Sequence, residues 1–151
     1  MANNFQRIGS ISNAHVGRDF ESAAKEYFKK QGVELKSNFS VSIGVDATKK
    51  ERQFDLGASS PPLIVECKSH RWTESGNVPS AKMTTWNEAM YYFHLAPSRY
   101  KKVFFVLRDY NRKRKESLAE YYVRNYHHLI PRRVQIMEYD EKSKMIYLLH
   151  G

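Results

Sequence analysis

The spacing of apolar residues in the first third of the chain predicts one helix followed by a β-hairpin. From Val16 to Gln31, apolar side chains recur at the spacing of a single helical face, and Gly32 is suited to end that helix. Within residues 33–45 and in the segment RQFDLGA, strand-forming residues lie on either side of a charged turn. We therefore expect an amphipathic helix that packs against a hairpin.

The middle of the chain predicts two buried strands joined by a helix. The segment LIVECKSH begins with a continuous apolar run, which is typical of a central strand, and KVFFVLR has the same character. Between them, a loop from His70 to Pro79 precedes a helix that Ser80 is expected to cap and that ends near Ala96. A strand, a helix and a strand in this order suit a parallel crossover unit.

The last third predicts a third helix and two more strands. Residues 116–129 have a helical pattern that Pro131 ends, and RVQIMEY and KMIYLLH follow as strands. The order α-β-β-β-α-β-α-β-β predicts an α/β fold, with a central mixed sheet flanked by helices. A chain of this length buries one core, so we expect a single domain over residues 1–151, with a core at about 16–108 and a basic extension at about 109–151.

Composition narrows the cellular setting. Hydrophobic residues make up 41% of the chain and aromatic residues 13%, which is typical of a folded domain. The sequence contains no apolar run near the roughly 20 residues that span a bilayer, and its start lacks a secretory signal. The single Cys67 cannot form an intramolecular disulfide. We expect an intracellular, cytoplasmic protein with no membrane partner.

Positive charge is concentrated in one region. The formal net charge is +9, and residues 99–133 contain eleven basic and three acidic residues, a local excess of +8. Clustered cations gain affinity for polyanions by releasing condensed counterions, which favours nucleic acid over a solvated surface or an acidic protein partner. The candidate DNA-binding residues are Arg18, His70, Arg71, Trp72 and Lys82, together with the run Arg112, Lys113, Arg114 and Lys115.

Candidate chemistry lies on the third strand. Strand alternation places Glu66, Lys68 and His70 on one face. Burying such charges is costly unless they have partners or bind a metal. A functional site would explain why the chain places them there. The alternative is an exposed ion pair on an edge strand.

Two more acidic residues are expected near this strand. Asp55 lies between apolar neighbours that we expect on the opposite face of its strand, and antiparallel pairing would bring it toward Glu66, although Asp55 also adjoins a turn. Glu21 lies at the edge of the apolar face of the first helix, where it either reaches the sheet or stays in solvent. Converging carboxylates suit a hard cation such as Mg²⁺, and an adjacent lysine can orient water.

These residues resemble a known family. Asp55, ten intervening residues and then Glu66-Cys67-Lys68 resemble the motif of the PD-(D/E)XK nuclease superfamily, which has a restriction-endonuclease-like fold with an α-β-β-β-α-β core. Glu21 is similar to the first-helix acidic residue of small restriction enzymes and Holliday junction resolvases in that superfamily. The resemblance implies that Asp55 and Glu66 bind Mg²⁺, or Mn²⁺ in its place, that Lys68 positions the attacking water, and that Glu21 is an auxiliary ligand.

The expected function is therefore a metal-dependent DNA endonuclease, of restriction or structure-specific type, that acts as a homodimer. The alternatives are a Holliday-junction-type resolvase and a catalytically inactive nucleic-acid-binding module. His15, Asn87 and Tyr91 are possible auxiliary residues, although capping for the first and core packing for the other two are competing explanations.

Overall fold

The structure is a computed structural model that describes residues 17–151. Helix α1 covers residues 17–30 in this range. The remaining elements are β1 (Lys36–Ile43), β2 (Lys50–Ser59), β3 (Pro62–Lys68), α2 (Ser80–Leu95), β4 (Lys101–Leu107), β5 (Tyr110–Asn111), β6 (Glu116–Ser117), α3 (Leu118–Tyr126), a 3-10 turn (His127–Leu129), β7 (Val134–Tyr139) and β8 (Ile146–His150).

The described residues form a six-stranded mixed sheet in the order β1-β2-β3-β4-β7-β8. Strands β3, β4 and β7 run parallel, while β1, β2 and β8 pair antiparallel with their neighbours. The predicted hairpin, the central position of β3 and the parallel crossover from β3 through α2 to β4 are therefore confirmed. The fold is mixed α/β, and the region beyond residue 108 belongs to the same sheet because β7 pairs with β4.

Each face of the sheet buries its own apolar cluster. Helix α1 covers one face, where Phe20, Ala24 and Phe28 are buried against the sheet. Helices α2 and α3 cover the other, where Trp86 and Tyr122 have no exposed surface. The strands in the middle of the sheet read as apolar runs because they are covered on both faces.

Two predicted helix starts are wrong. Ser80 is the first residue of α2 and provides no side-chain cap, because Pro79 takes the cap position. Helix α3 begins at Leu118 and not at residue 116, because Ser117 forms a capping box with Glu120. The short hairpin of β5 and β6, which precedes this cap, is an element that the apolar pattern did not predict. None of the helices in residues 17–151 is long and apolar enough to cross a membrane.

Candidate active site

Strand β2 changes face at Asp55. Phe54 stacks on Phe93 of α2, with ring centroids 5.7 Å apart, whereas Leu56 belongs to the cluster beneath α1. Both side chains are fully buried, on opposite faces of the sheet. The expectation that they share a face is therefore wrong, and the opposing Asn38 in β1 has a positive φ of 53°. This irregularity turns the half-buried Asp55 away from a regular inward or outward position.

Asp55 and Glu66 are joined by two crossed hydrogen bonds. The backbone pairing of β2 with β3 reaches Leu56 and Val65. Next to this pair, the backbone N–H of Asp55 donates to Glu66 Oε1 at 3.0 Å, and the backbone N–H of Cys67 donates to Asp55 Oδ2 at 2.8 Å. Each carboxylate thus binds the backbone of the other's strand, which fixes both groups in the gap between the two strands.

Glu66 is a buried acid with an altered proton affinity. Its exposed fraction is 3%, and burial together with the charge of Asp55 raises its pKa from 4.5 to about 7. Arg52, the backbone bond from Asp55 and Lys68 act in the opposite direction. Arg52 Nη2 lies 3.3 Å from Glu66 Oε2, so both oxygens of Glu66 have protein donors.

Lys68 ends β3 on the same face as Ile64 and Glu66, by strand alternation. Its side chain is half-buried, and its charge acts on both Glu66 and His70. The Lys68 ammonium thus lies within electrostatic reach of Glu66.

Glu21 approaches the site from α1. Partial burial and the charge of Asp55 raise its pKa, so the two carboxylates lie within electrostatic reach of each other. Among residues 17–151, no three His, Cys, Asp or Glu side chains are grouped so as to hold a metal ion. The donor set still fits Mg²⁺, which proteins bind through one or two carboxylates while it keeps several waters. Asp55 and Glu66 would supply those carboxylates, and Glu21 stays a candidate auxiliary ligand.

His70 is held in its neutral form beside Lys68. Burial, Lys68 and Lys82 lower its pKa from 6.5 to about 4. Its Nδ1 accepts a hydrogen bond of 2.8 Å from the indole N–H of the buried Trp86. A neutral imidazole with an accepting Nδ1 carries its proton on Nε2, so His70 provides an uncharged donor.

The 70–79 loop is attached to the β5–β6 hairpin. The backbone and indole N–H groups of Trp72 both donate to Asp109 at 2.9 Å, and Arg114 lies over the Trp72 ring at 4.5 Å. Arg114 Nε also donates to the carbonyl of Gly76. Trp72 is only 8% exposed, which leaves its ring little surface for the predicted contact with DNA. Its indole serves to hold the loop and the hairpin together.

The other candidate nucleic-acid residues differ in how far they are engaged. Arg71 pairs with Glu141 at 2.6 Å. Arg112, Lys113 and Lys115 are exposed in the turn of the β5–β6 hairpin. Arg18 in α1 and Lys82 near the start of α2 are exposed as well.

Two of the three possible auxiliary residues lie in the described part of the chain, and their surroundings differ. Asn87 Oδ1 accepts a hydrogen bond of 2.9 Å from the Tyr122 hydroxyl, which supports the core-packing explanation for Asn87. Tyr91 is 48% exposed and lines a cavity of about 320 Å³ at the 3-10 turn. His15 lies outside the described residues.

Sequence reasoning missed Arg52 and Asp109. Arg52 is the first residue of the predicted RQFDLGA strand and has no predicted role, yet its guanidinium contacts Glu66 and lies over the Tyr92 ring at 4.3 Å. The available signal was its position three residues before Asp55, on a strand next to a buried acid. Asp109 carried no local signal, because its partner Trp72 is 37 residues away.

Comparison of the chain with protein-family models, curated proteins and solved structures finds no match.

Proposed function

We propose that this protein is a metal-dependent nuclease that hydrolyses phosphodiester bonds in DNA. The observation that carries the proposal is the crossed Asp55–Glu66 pair, with Lys68 within electrostatic reach of Glu66. The charge of Asp55 helps to raise the pKa of Glu66, and a bound divalent cation would relieve that repulsion. A purely structural pair would gain nothing from this arrangement that apolar residues could not supply.

The residues of this chain have distinct tasks in such a reaction. A divalent ion held by Asp55 and Glu66 would supply Lewis-acid stabilisation of the charge that develops on the phosphate. Lys68 orients the attacking water and offsets negative charge at the same phosphate. His70 offers an N–H donor to a phosphate oxygen without adding charge. The resemblance to PD-(D/E)XK nucleases implies products with 5′-phosphate ends.

A polyanionic substrate fits the surface around this site. Strands β3 and β4 are parallel, so the loop after Lys68 and the hairpin after Leu107 leave the sheet at the same edge. The exposed Arg112, Lys113 and Lys115 in that hairpin provide cations for the phosphates on either side of the scissile bond. We propose duplex or branched DNA as the substrate, cut by a homodimer because each chain supplies one site and a duplex has two strands.

A catalytically inactive nucleic-acid-binding module is the second candidate. The observation that favours it is the engagement of both Glu66 oxygens, by the Asp55 N–H and by Arg52, which satisfies the carboxylate without a metal. This module would use the same basic hairpin. It differs from the nuclease in having no divalent-ion requirement and no cleavage.

Cleavage of supercoiled plasmid tests the proposal. We expect the wild-type protein to nick or linearise plasmid with Mg²⁺ and to be inactive in EDTA, and we expect Asp55→Ala to be inactive in both. Glu34→Ala removes an exposed carboxylate outside the site and serves as the matched control. Full activity in Asp55→Ala would disprove the assignment. Faster cleavage of four-way junctions than of linear duplex would identify the resolvase type.

A further inference from the structure

Arg52 occupies a position between the acidic pair and helix α2. Its Nη2 lies 3.3 Å from Glu66 Oε2, and the guanidinium lies 4.3 Å from the centre of the Tyr92 ring and 5.7 Å from that of Phe54. The Arg52 side chain is 32% exposed, whereas that of Glu66 is 4% exposed. The Arg52 guanidinium therefore contacts the buried Glu66 carboxylate from the solvent side, and it also packs against two aromatic rings.

The hydrogen bonding of Arg52 is incomplete. Its Nε is buried and has no hydrogen-bond partner. A guanidinium has five N–H donors, and the bond to Glu66 is longer than a typical charge-assisted bond of about 2.8 Å. Stacking on Tyr92 thus contributes substantially to its position. Arg52 can leave Glu66 without losing that support, since rotation over the ring keeps the stacking contact.

Arg52 binds the Glu66 oxygen that the Asp55 N–H does not use. Glu66 Oε1 accepts the Asp55 N–H, so Oε2 is the oxygen turned toward the cation. A divalent ion shared with Asp55 would have to draw on this carboxylate, and it would be repelled by a guanidinium at the same oxygen. Arg52 and a divalent ion therefore compete for the negative charge of Glu66.

We infer that Arg52 is a positioning residue that neutralises Glu66 in the metal-free protein and is displaced from it when the divalent ion binds. The inference rests on the proposed function, because it requires a metal at Asp55 and Glu66. Arg52 would thereby set the metal affinity of the site. It neutralises the buried Glu66 in the absence of metal, and it makes the site bind metal more weakly than the two carboxylates alone would. The released guanidinium stays stacked on Tyr92, from which its donors can reach a substrate phosphate.

Calorimetric titration with Mn²⁺, without DNA, tests this role. The variant Arg52→Gln removes the cation, Arg52→Lys keeps the charge, and Asp55→Ala identifies the heat that belongs to this site. The matched control is Arg124→Gln, because Arg124 also pairs with a glutamate, at 2.8 Å from Glu116, and also lies over a ring, at 5.4 Å from Tyr121.

We expect Arg52→Gln to bind Mn²⁺ about five-fold more tightly than wild type, the factor equivalent to the upper limit for a partly exposed ion pair. We expect Arg52→Lys and Arg124→Gln to stay near the wild-type affinity. An unchanged or weaker affinity in Arg52→Gln overturns the inference while leaving the nuclease proposal intact. If Arg52→Gln does not fold, Tyr92→Leu takes its place, because it removes the ring over which Arg52 lies. Tighter Mn²⁺ binding by Tyr92→Leu supports the role of Arg52, and unchanged binding rejects it. Absence of a site-specific Mn²⁺ heat in the wild type rejects both proposals.

Discussion

Replacing Glu66 with glutamine should change how the stability of the metal-free protein depends on pH. The pKa of Glu66 is raised from 4.5 to about 7 by burial and by Asp55. Between these two values the folded chain binds a proton that the unfolded chain has released, so the folded state loses stability as pH rises through this window. Glutamine has nearly the same shape as the protonated acid and does not titrate, so Glu66→Gln should lack this loss.

The magnitude follows from the size of the pKa shift. One pKa unit corresponds to about 1.4 kcal/mol, so the shift from 4.5 to about 7 amounts to about 3 kcal/mol in full. Most of it, about 2–3 kcal/mol, falls between about pH 5 and about pH 8. Solvent screens this charge only weakly, because the Glu66 side chain is 4% exposed. This difference is a substantial fraction of the total free energy of unfolding of a domain, which is roughly 5–15 kcal/mol.

Urea unfolding in EDTA at about pH 5 and about pH 8 measures the effect. We expect the free energy of unfolding to fall by about 2–3 kcal/mol more in the wild type than in Glu66→Gln between the two conditions. Titrating groups that do not interact with Glu66 are common to both proteins and cancel in the comparison. Glu88→Gln, on the exposed side of α2, should follow the wild type. Parallel pH dependence of wild type and Glu66→Gln would refute the argument that burial and Asp55 control this acid.

Three further predictions concern the surroundings of the site. Trp72→Ala should lower the free energy of unfolding by about 3–5 kcal/mol, the usual result for a buried aromatic, and a wild-type urea midpoint would contradict its anchoring role. The double variant Arg112→Gln/Lys113→Gln should reduce the salt dependence of DNA binding by about two phosphate contacts in fluorescence anisotropy, and an unchanged slope would remove the hairpin from the interface. The His70 ring protons should keep constant NMR chemical shifts between about pH 5.5 and about pH 8, because its pKa is lowered to about 4, and a midpoint near 6.5 would show that the ring is not held neutral.

Much of the fold was predictable because the signals are local. The apolar spacing of α1, the continuous run that opens β3 and the strand–helix–strand order each depend on neighbouring residues. The same is true of Glu66 and Lys68, which strand alternation places on one face. Even the approach of Asp55 to Glu66 follows from a single antiparallel turn between their strands.

The features that sequence reasoning got wrong depend on distant partners. The change of face at Asp55 arises with an irregular backbone at Asn38 in the neighbouring strand, which no alternation rule anticipates. Trp72 lies in a polar loop, and its burial requires Asp109 from beyond β4. The role of Arg52 was missed because its position three residues before Asp55 does not show that its long side chain reaches a glutamate 14 positions away.

The central claim is that Lys68 and the acidic pair carry out phosphodiester hydrolysis. The most direct test is single-turnover cleavage of labelled duplex or junction DNA by Lys68→Ala with Mg²⁺, together with DNA affinity measured on the same samples. The control is Lys30→Gln, at the exposed end of α1. We predict that Lys68→Ala cleaves at least about 100-fold more slowly while its DNA affinity stays within about three-fold of wild type. Mg²⁺-dependent cleavage at the wild-type rate by Lys68→Ala would contradict the account.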